Sequence, residues 1–390
     1  MRGYLFGGLP WFLLGYTQHE SLRLIQVADL GGVWLVTLLV ASVNAALVEG
    51  SRRVKAGVAA ALVAAWVYGA VRIESIPMRE GPRVALVQPN IPQEIKLGML
   101  DGKEAQEDPF QEALRIYQTH LDITLKAAEQ KPELIVWPEA ALYYGLEWNP
   151  DEKRWVQGGW YRRVLNTAEV SRTRTLVGLI AANRAGKGKP VYTNSAVYVD
   201  PEKGILERFD KVHLVPFAEY VPFGLKDLVF KYSGLKLEDM RPGPGFPIWD
   251  LGGERFGAQI CFEAIFPEIS REIAGNGASF TVNISNDGWF RDSAELDQMQ
   301  AMSRFRAIEN RMHFIRATNT GISAFIEPTG RVQAILPGKE VQGVLVARPN
   351  VTASTSLFRR IGNGVAWLAV LGVLAVLGRR IFVDRNKQAA

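Results

Sequence analysis

The segment LIVWPE, residues 134–139, combines a short uninterrupted apolar run with a proline and a carboxylate at its end. Similar, largely apolar runs occur at residues 84–87, 256–260 and 280–284. A short apolar run of this kind predicts a strand that is buried on both faces. Residues 109–130 instead repeat apolar side chains with the helical period. Strands that alternate with amphipathic helices indicate an α/β fold in which helices cover a sheet.

Three extended segments carry reactive or charged groups at or near their ends. Glu139 ends the first, Lys211 lies within residues 207–214, and Cys261 follows the strand predicted at 256–260. In open α/β sheets, functional side chains gather beyond the carboxyl ends of strands. A thiol can attack an acyl carbon, a carboxylate can take the thiol proton, and an ammonium can hold the resulting oxyanion. The set therefore predicts acyl-transfer chemistry that needs neither histidine nor metal.

Each of these residues also has an ordinary structural interpretation when it is taken alone. A carboxylate after a strand is commonly a solvated loop residue, and a lysine in an edge strand commonly guards against aggregation. A lone cysteine is commonly a small buried side chain. For the reactive interpretation, a helix predicted to begin at Pro267 is expected to favour the Cys261 thiolate through its dipole.

The composition excludes several other classes of protein. The 390 residues carry 45 Lys and Arg against 40 Asp and Glu, and this net charge of +5 is too small to indicate nucleic-acid binding. The single cysteine, Cys261, excludes an intramolecular disulfide and any site with several cysteine ligands. The four histidines are far apart in the sequence, and no glycine-rich phosphate loop is present. We therefore expect no metal and no cofactor.

Three uncharged apolar segments, residues 30–48, 56–71 and 361–378, flank a more polar middle region. The first and third approach the length that a helix needs to cross a hydrocarbon core of about 30 Å. The second is shorter and rich in alanine, which is only weakly apolar. All three are predicted to be transmembrane helices, with a buried core helix as the alternative for each.

These segments divide the chain into three predicted regions. Residues 1–80 form an N-terminal membrane region with an interfacial segment at 3–15, residues 81–352 form the catalytic domain, and residues 353–390 form a C-terminal helix with a basic tail. Basic residues within 52–55 indicate that the turn between the first two spans is cytoplasmic. We therefore expect the catalytic domain on the opposite, extracytoplasmic side of the membrane.

Four motifs together resemble the nitrilase superfamily. They are WPE at 137–139, DKVHLVPF at 210–217, ICFE at 260–263 and NISNDGWF at 283–290. The flanking spans, with VQPNIP at 87–92, make the chain similar to the bacterial apolipoprotein N-acyltransferases of that superfamily. The resemblance implies a nitrilase-like αββα sandwich and multi-pass insertion in the bacterial inner membrane, with the catalytic domain in the periplasm. That family has several more spans before its catalytic domain, so this chain is expected to be short at its N-terminus.

Residue by residue, the resemblance implies a Glu-Lys-Cys triad with Glu139 as general base, Lys211 as oxyanion stabiliser and Cys261 as nucleophile. Glu219 and Glu263 match two further carboxylates that the family has near the triad. Because Glu263 is two residues beyond the nucleophile, we expect it to share the pocket of Cys261 and to orient Lys211.

The reaction that the resemblance implies has two steps. Cys261 takes an acyl group from a membrane phospholipid as a thioester, and the α-amine of a diacylglyceryl-cysteine on an apolipoprotein then receives it. With Glu219 and Glu263, Phe262 is expected to be a supporting or substrate-binding residue, and it stands where some relatives have tyrosine, so it brings no hydroxyl to the site. Two alternatives stay open. One is a membrane-anchored amidase that hydrolyses a small carbon–nitrogen substrate with the same triad, and the other is an inactive binding or scaffold module.

Overall fold

Two large sheets packed face to face, with helices on their outer sides, form the centre of this protein. The computed structural model describes residues 8–95, 108–186, 188–225 and 239–388. The strands in these ranges are β1 Arg79–Glu80, β2 Val84–Gln88, β3 Leu134–Val136, β4 Leu142–Asn149, β5 Arg154–Trp155, β6 Arg174–Asn183, β7 Val191–Asp200, β8 Gly204–Asp210, β9 Ile248–Leu251, β10 Glu254–Ile260, β11 Phe280–Ser285, β12 His313–Thr318, β13 Ala324–Ile326, β14 Val332–Ile335, β15 Gly343–Ala347 and β16 Asn350–Val351. The α-helices in the same ranges are α1 Ala28–Glu49, α2 Arg52–Ser75, α3 Pro109–Ala128, α4 Gly159–Ser171, α5 Pro267–Gly275, α6 Glu295–Asn310, α7 Leu357–Ile361 and α8 Gly364–Gln388.

Each large sheet has a parallel centre and antiparallel edges. The first sheet has the order β15-β2-β3-β6-β4-β5, with β7 pairing to β6 and β8 to β7. The second has the order β14-β13-β12-β11-β10-β9, and β1 pairs separately with β16. Strands β2, β3, β6 and β4 run parallel in the first sheet, and β10, β11 and β12 run parallel in the second. Side chains after β3 and β10 therefore emerge at carboxyl ends of parallel strands, where functional groups commonly gather.

The apolar strand runs arise because both faces of each sheet are covered. In β2, Val84 and Leu86 belong to the core between the sheets, whereas Ala85 and Val87 belong to a second core beneath α3 and α4. Tyr198 of the first sheet makes direct contact across the sandwich, because its ring lies 5.5 Å from that of Trp249 and 5.4 Å from that of Phe256. On the far side, apolar residues of α5 and α6 are buried against the second sheet. The predicted αββα order is confirmed.

The N-terminal helices pack against the sandwich through buried ion pairs. Asp29 of α1 binds Arg311, which follows α6, at 2.6 Å and Arg72 of α2 at 2.9 Å. Gly31 and Gly32 interrupt the helical backbone of α1, and Glu309 of α6 accepts a hydrogen bond from the backbone N–H of the next residue, Val33, at 2.8 Å. Because these charges are shielded from water, losing one partner would leave the other buried and uncompensated. The contacts join α1 and α2 to the catalytic domain.

Among the residues that the structure describes, two helices are long and apolar enough to cross a membrane. They are residues Leu24–Glu49, which include α1, and Arg52–Ser75, which is α2. The first contains the span predicted at 30–48, and the second contains the span predicted at 56–71. In α8 the apolar stretch, Gly364–Arg379, is shorter. Of the interfacial segment predicted at 3–15, residues 3–7 lie outside the described residues.

Candidate active site

Both sheets contribute to a cluster of buried charged groups at one end of the sandwich. Glu139 follows β3 and Lys211 follows β8 of the first sheet, while Cys261 follows β10 of the second. The Lys211 Nζ atom lies 3.5 Å from Glu139 Oε1, and the charges of both residues act on the Cys261 thiol. The three residues predicted from the sequence are therefore neighbours in the fold.

Lys211 is the centre of this cluster, and its side chain is only 1% exposed. Its ammonium donates a hydrogen bond to Glu219 Oε1 at 2.8 Å and lies further from Glu139. Burial lowers the pKa of Lys211, but the charges of Glu219 and Glu139 raise it by more, so the net pKa is above its usual value. The lysine is consequently a permanent buried cation at neutral pH.

Glu219 reaches Lys211 from a tight loop. Its Oε2 atom accepts a hydrogen bond from the backbone N–H of Val215 at 2.8 Å, which leaves Oε1 for the ammonium. Within the loop, Phe217 has a φ of +62°, a left-handed conformation that costs energy for a residue other than glycine. The carboxylate is thus held in place by its own loop and by Lys211.

The surroundings of Cys261 favour its neutral thiol over the thiolate. Burial, Glu139 and Asp287 raise its pKa well above the usual value, while Lys211 and Ser285 act in the opposite direction. The helix predicted to begin at Pro267 is present as α5, but the net shift of the thiol pKa is opposite to the effect expected of its dipole. Cys261 instead begins a short 3₁₀ helix, Cys261–Ile265, with a φ of +51°, and α5 starts only after it. A neutral thiol needs a base when it attacks.

Glu263 is fully buried and binds backbone rather than the Lys211 ammonium. Its Oε1 accepts hydrogen bonds from the N–H groups of Val212 at 2.7 Å and His213 at 3.0 Å, and its Oε2 accepts from Ile260 at 2.7 Å. It therefore joins the chain just after Lys211 to the strand just before Cys261. These hydrogen bonds all come from backbone N–H groups, and the orientation of Lys211 by Glu263 stays a prediction. Burial raises the pKa of Glu263 to about 7, against the pull of these N–H groups and Lys211.

Phe262 points its ring at other aromatic groups. The ring centre lies 5.1 Å from that of Phe266 in an edge-on arrangement and 6.1 Å from that of His213.

Within the described residues, no group of three or more His, Cys, Asp or Glu side chains is arranged to hold a metal ion.

Comparisons with known proteins give matches along most of this chain. The carbon-nitrogen hydrolase family model matches residues 83–354, and that of the apolipoprotein N-acyltransferase N-terminal domain matches residues 1–46. The apolipoprotein N-acyltransferase of Geobacter metallireducens is 35% identical, over 96% of this chain and 70% of its own length. The enzyme of that name from Bradyrhizobium diazoefficiens is 31% identical, over 98% and 71%. This chain belongs to the apolipoprotein N-acyltransferase family.

A solved structure supports the fold of this family member. A branch 10 nitrilase-superfamily protein of Saccharomyces cerevisiae aligns with a TM-score of 0.50 at 18% identity, over 70% of this chain and 91% of its own. The nitrilase-superfamily fold implied by the sequence is confirmed.

Two asparagines that the sequence did not single out contact the acidic groups of this apolipoprotein N-acyltransferase family member. Asn194, on β7, donates from Nδ2 to Glu139 Oε1 at 2.7 Å and to Glu219 Oε1 at 2.8 Å. The backbone N–H of Asn286, just after β11, donates to Glu139 Oε2 at 2.8 Å. Asn286 lies within the motif at 283–290, so its place in the motif was a signal. Asn194 lies in an ordinary strand and had none.

Replacing Glu263 with glutamine is expected to lower the free energy of unfolding by about 1–3 kcal/mol. In the native protein, Glu263 Oε2 accepts from the Ile260 N–H whether the carboxyl group is ionised or protonated. A glutamine that places its NH₂ group at this position cannot accept that hydrogen bond. With the amide turned the other way, the N–H groups of Val212 and His213 lose their acceptor instead. Thermal unfolding in detergent measures the loss. Glu272→Gln, on the exposed side of α5, is the matched control and should leave the unfolding temperature unchanged. Equal stability of the two variants would contradict this role of Glu263.

Proposed function

We propose that this chain is an apolipoprotein N-acyltransferase, which moves an acyl group from a membrane phospholipid to the α-amine of a diacylglyceryl-cysteine. The observation that carries the proposal is the buried Lys211 ammonium, which two carboxylates hold beside the only cysteine of the chain. Two relatives, at 35% and 31% identity, are named for this activity. Helices α1 and α2 are a further argument for lipid-bound substrates, because they are long and apolar enough to hold the domain at a bilayer.

In the first step, the Cys261 sulfur attacks the carbonyl carbon of a phospholipid ester. Because the thiol is neutral, Glu139 takes its proton as the sulfur–carbon bond forms. The carbonyl electrons move to oxygen, and the Lys211 ammonium stabilises that oxyanion. The oxyanion then collapses, the ester carbon–oxygen bond breaks, and the lysophospholipid oxygen leaves with the proton from Glu139. The acyl group remains on Cys261 as a thioester.

In the second step, the α-amine of the diacylglyceryl-cysteine attacks the thioester carbon. Glu139 accepts a proton from the amine nitrogen, and Lys211 again faces the oxyanion. Collapse breaks the carbon–sulfur bond, and the sulfur takes the proton to restore the Cys261 thiol. The product is an amide on the apolipoprotein. A covalent intermediate of this kind makes the reaction ping-pong, with lysophospholipid leaving before the acceptor reacts.

The proposed placement in the membrane follows from the charges at the helix ends. Residues 1–80 and 353–390 are assigned to the membrane regions and 81–352 to the catalytic domain. The start of α2, with Arg52, Arg53 and Lys55, is assigned to the cytoplasm of a bacterial inner membrane, as is the basic last part of α8, residues 379–387. The chain is thereby multi-pass, with its catalytic domain on the periplasmic side.

The direct test is the intact mass of the purified protein after incubation with dipalmitoyl phospholipid micelles. We expect an added palmitoyl mass that neutral hydroxylamine removes, which is the behaviour of a thioester. Since Cys261 is the only cysteine, the adduct has a single possible site. Protein first alkylated with N-ethylmaleimide is the control and should gain no acyl group. A folded protein that never forms the adduct would contradict the proposal.

The acceptor is tested on the acyl-enzyme. A synthetic diacylglyceryl-cysteine peptide should remove the adduct and gain the acyl group on its α-amine, while the same peptide with an acetylated α-amine should leave the adduct in place. Release of ammonia from small amides in the absence of phospholipid would instead indicate the amidase alternative.

A further inference from the structure

One asparagine side chain contacts both carboxylates that face Lys211. The Nδ2 atom of Asn194 donates to the same Oε1 atoms of Glu139 and Glu219 that face the ammonium, at 2.7 and 2.8 Å. The backbone carbonyl of Asn194 also accepts a hydrogen bond from the Lys211 N–H at 2.8 Å. A single residue therefore touches the assigned base, the assigned oxyanion stabiliser and the carboxylate that holds it.

The orientation of this amide is determined by its neighbours. Turning it over would put the Asn194 carbonyl oxygen against two carboxylates, which is strongly unfavourable. In the observed orientation both N–H groups are used, and Oδ1 is buried with no hydrogen-bond partner among the described residues. Because an unpaired buried acceptor carries a cost, the two contacts to carboxylates must outweigh it.

The distances indicate what these contacts do. The Lys211 Nζ atom is at hydrogen-bonding distance from Glu219, 2.8 Å, but 3.5 Å from Glu139. Glu139 Oε1 is instead occupied by Asn194, and its Oε2 by the Asn286 N–H. Without the Asn194 donor, the nearest described donor to Glu139 Oε1 is the Lys211 ammonium, at 3.5 Å. Opposite charges at this distance attract each other strongly when they are buried away from bulk water.

We propose that Asn194 is a positioning residue that keeps Glu139 at 3.5 Å from Lys211 and prevents a direct hydrogen bond between the two. The base then remains free to accept the thiol proton, and the ammonium remains free to face the oxyanion. The inference rests on the proposed function, because it needs both roles. It extends that function to a residue that acts through the base and the ammonium rather than on the substrate.

The experiment measures the rate of palmitoyl adduct formation on the full chain across dipalmitoyl phospholipid concentrations. For Asn194→Leu, which removes both donors with little change in size, we expect the rate at saturating lipid to fall roughly 10–100-fold. The half-saturating lipid concentration should stay unchanged, because Asn194 is only 3% exposed and acts on the two carboxylates.

Asn194→Asp separates positioning from packing. Its side chain is closer in shape to asparagine than leucine is, but it brings a third carboxylate to the place of a donor. We expect it to be slower than the leucine variant, whereas a packing role alone would make it faster. Asn194→Ser keeps one donor and should be intermediate. The serine variant also replaces Asn194→Leu in the rate measurement if the leucine variant does not fold.

Asn183→Leu is the matched control, because this asparagine lies at the end of neighbouring β6 and donates to the Val191 carbonyl, away from the carboxylates. Its adduct rate should equal that of the unmodified protein. An Asn194→Leu variant that acylates at the normal rate, or an aspartate variant faster than leucine, would overturn this inference alone. Absence of any adduct on the unmodified protein would overturn the proposed function and the inference together.

Discussion

Replacing Cys261 with alanine is expected to abolish acyl transfer and to leave the fold intact. The sulfur is the atom to which the acyl group is assigned, and no second cysteine can replace it. Losing a nucleophile of this type typically costs about 10⁴-fold or more in turnover. The effect on stability should be small, about 1 kcal/mol. Cys261 has a φ of +51°, and alanine meets the same backbone cost because both residues have a Cβ atom.

The measurement pairs intact mass after phospholipid incubation with the thermal unfolding temperature in detergent. Cys261→Ser is the informative companion, because it preserves shape and hydrogen bonding. A hydroxyl is far harder to deprotonate than a thiol, so a carboxylate base such as Glu139 should not activate it. We expect the serine variant to lose nearly as much activity as alanine. Retained turnover in the alanine variant, with a normal unfolding temperature, would exclude the thioester mechanism.

The parts of this site that were predictable lie at the ends of strands. Glu139 and Cys261 each follow an apolar run, and the position of such a run is visible along the sequence. The αββα order was implied by the resemblance to the nitrilase superfamily, whereas the covering of both sheet faces, which makes those runs continuous, made the α/β class predictable. Local pattern was sufficient for these features because each depends on residues that are close in the chain.

The unpredicted parts depend on groups that meet only after folding. Asn194 reaches Glu139 and Glu219 because β7 lies beside β8, and nothing in its own strand distinguishes it from other polar residues. The pKa of the Cys261 thiol was unpredictable for a similar reason. The sequence locates a helix nearby but does not give the burial or the carboxylate charges that outweigh it.

Replacing Lys211 with methionine is expected to damage both activity and stability. Methionine fills a similar volume but removes the cation from between Glu139 and Glu219. Two buried carboxylates that share no cation repel each other, and breaking a buried ion pair in this way costs about 3–5 kcal/mol. The oxyanion also loses its charged donor, which by itself lowers the rate of acylation by about 10²–10³-fold. Adduct formation and unfolding temperature measure the two losses separately.

A double variant distinguishes catalysis from charge balance. Lys211→Met combined with Glu219→Gln removes one cation and one anion, so the repulsion between the buried carboxylates is relieved. We expect the double variant to recover much of the lost unfolding temperature, because sites in direct contact are not additive. Its rate of acylation should stay as low as that of Lys211→Met, since no ammonium faces the oxyanion. If acylation returned together with stability, Lys211 would act only as the counter-ion of Glu219, and the oxyanion would require another donor.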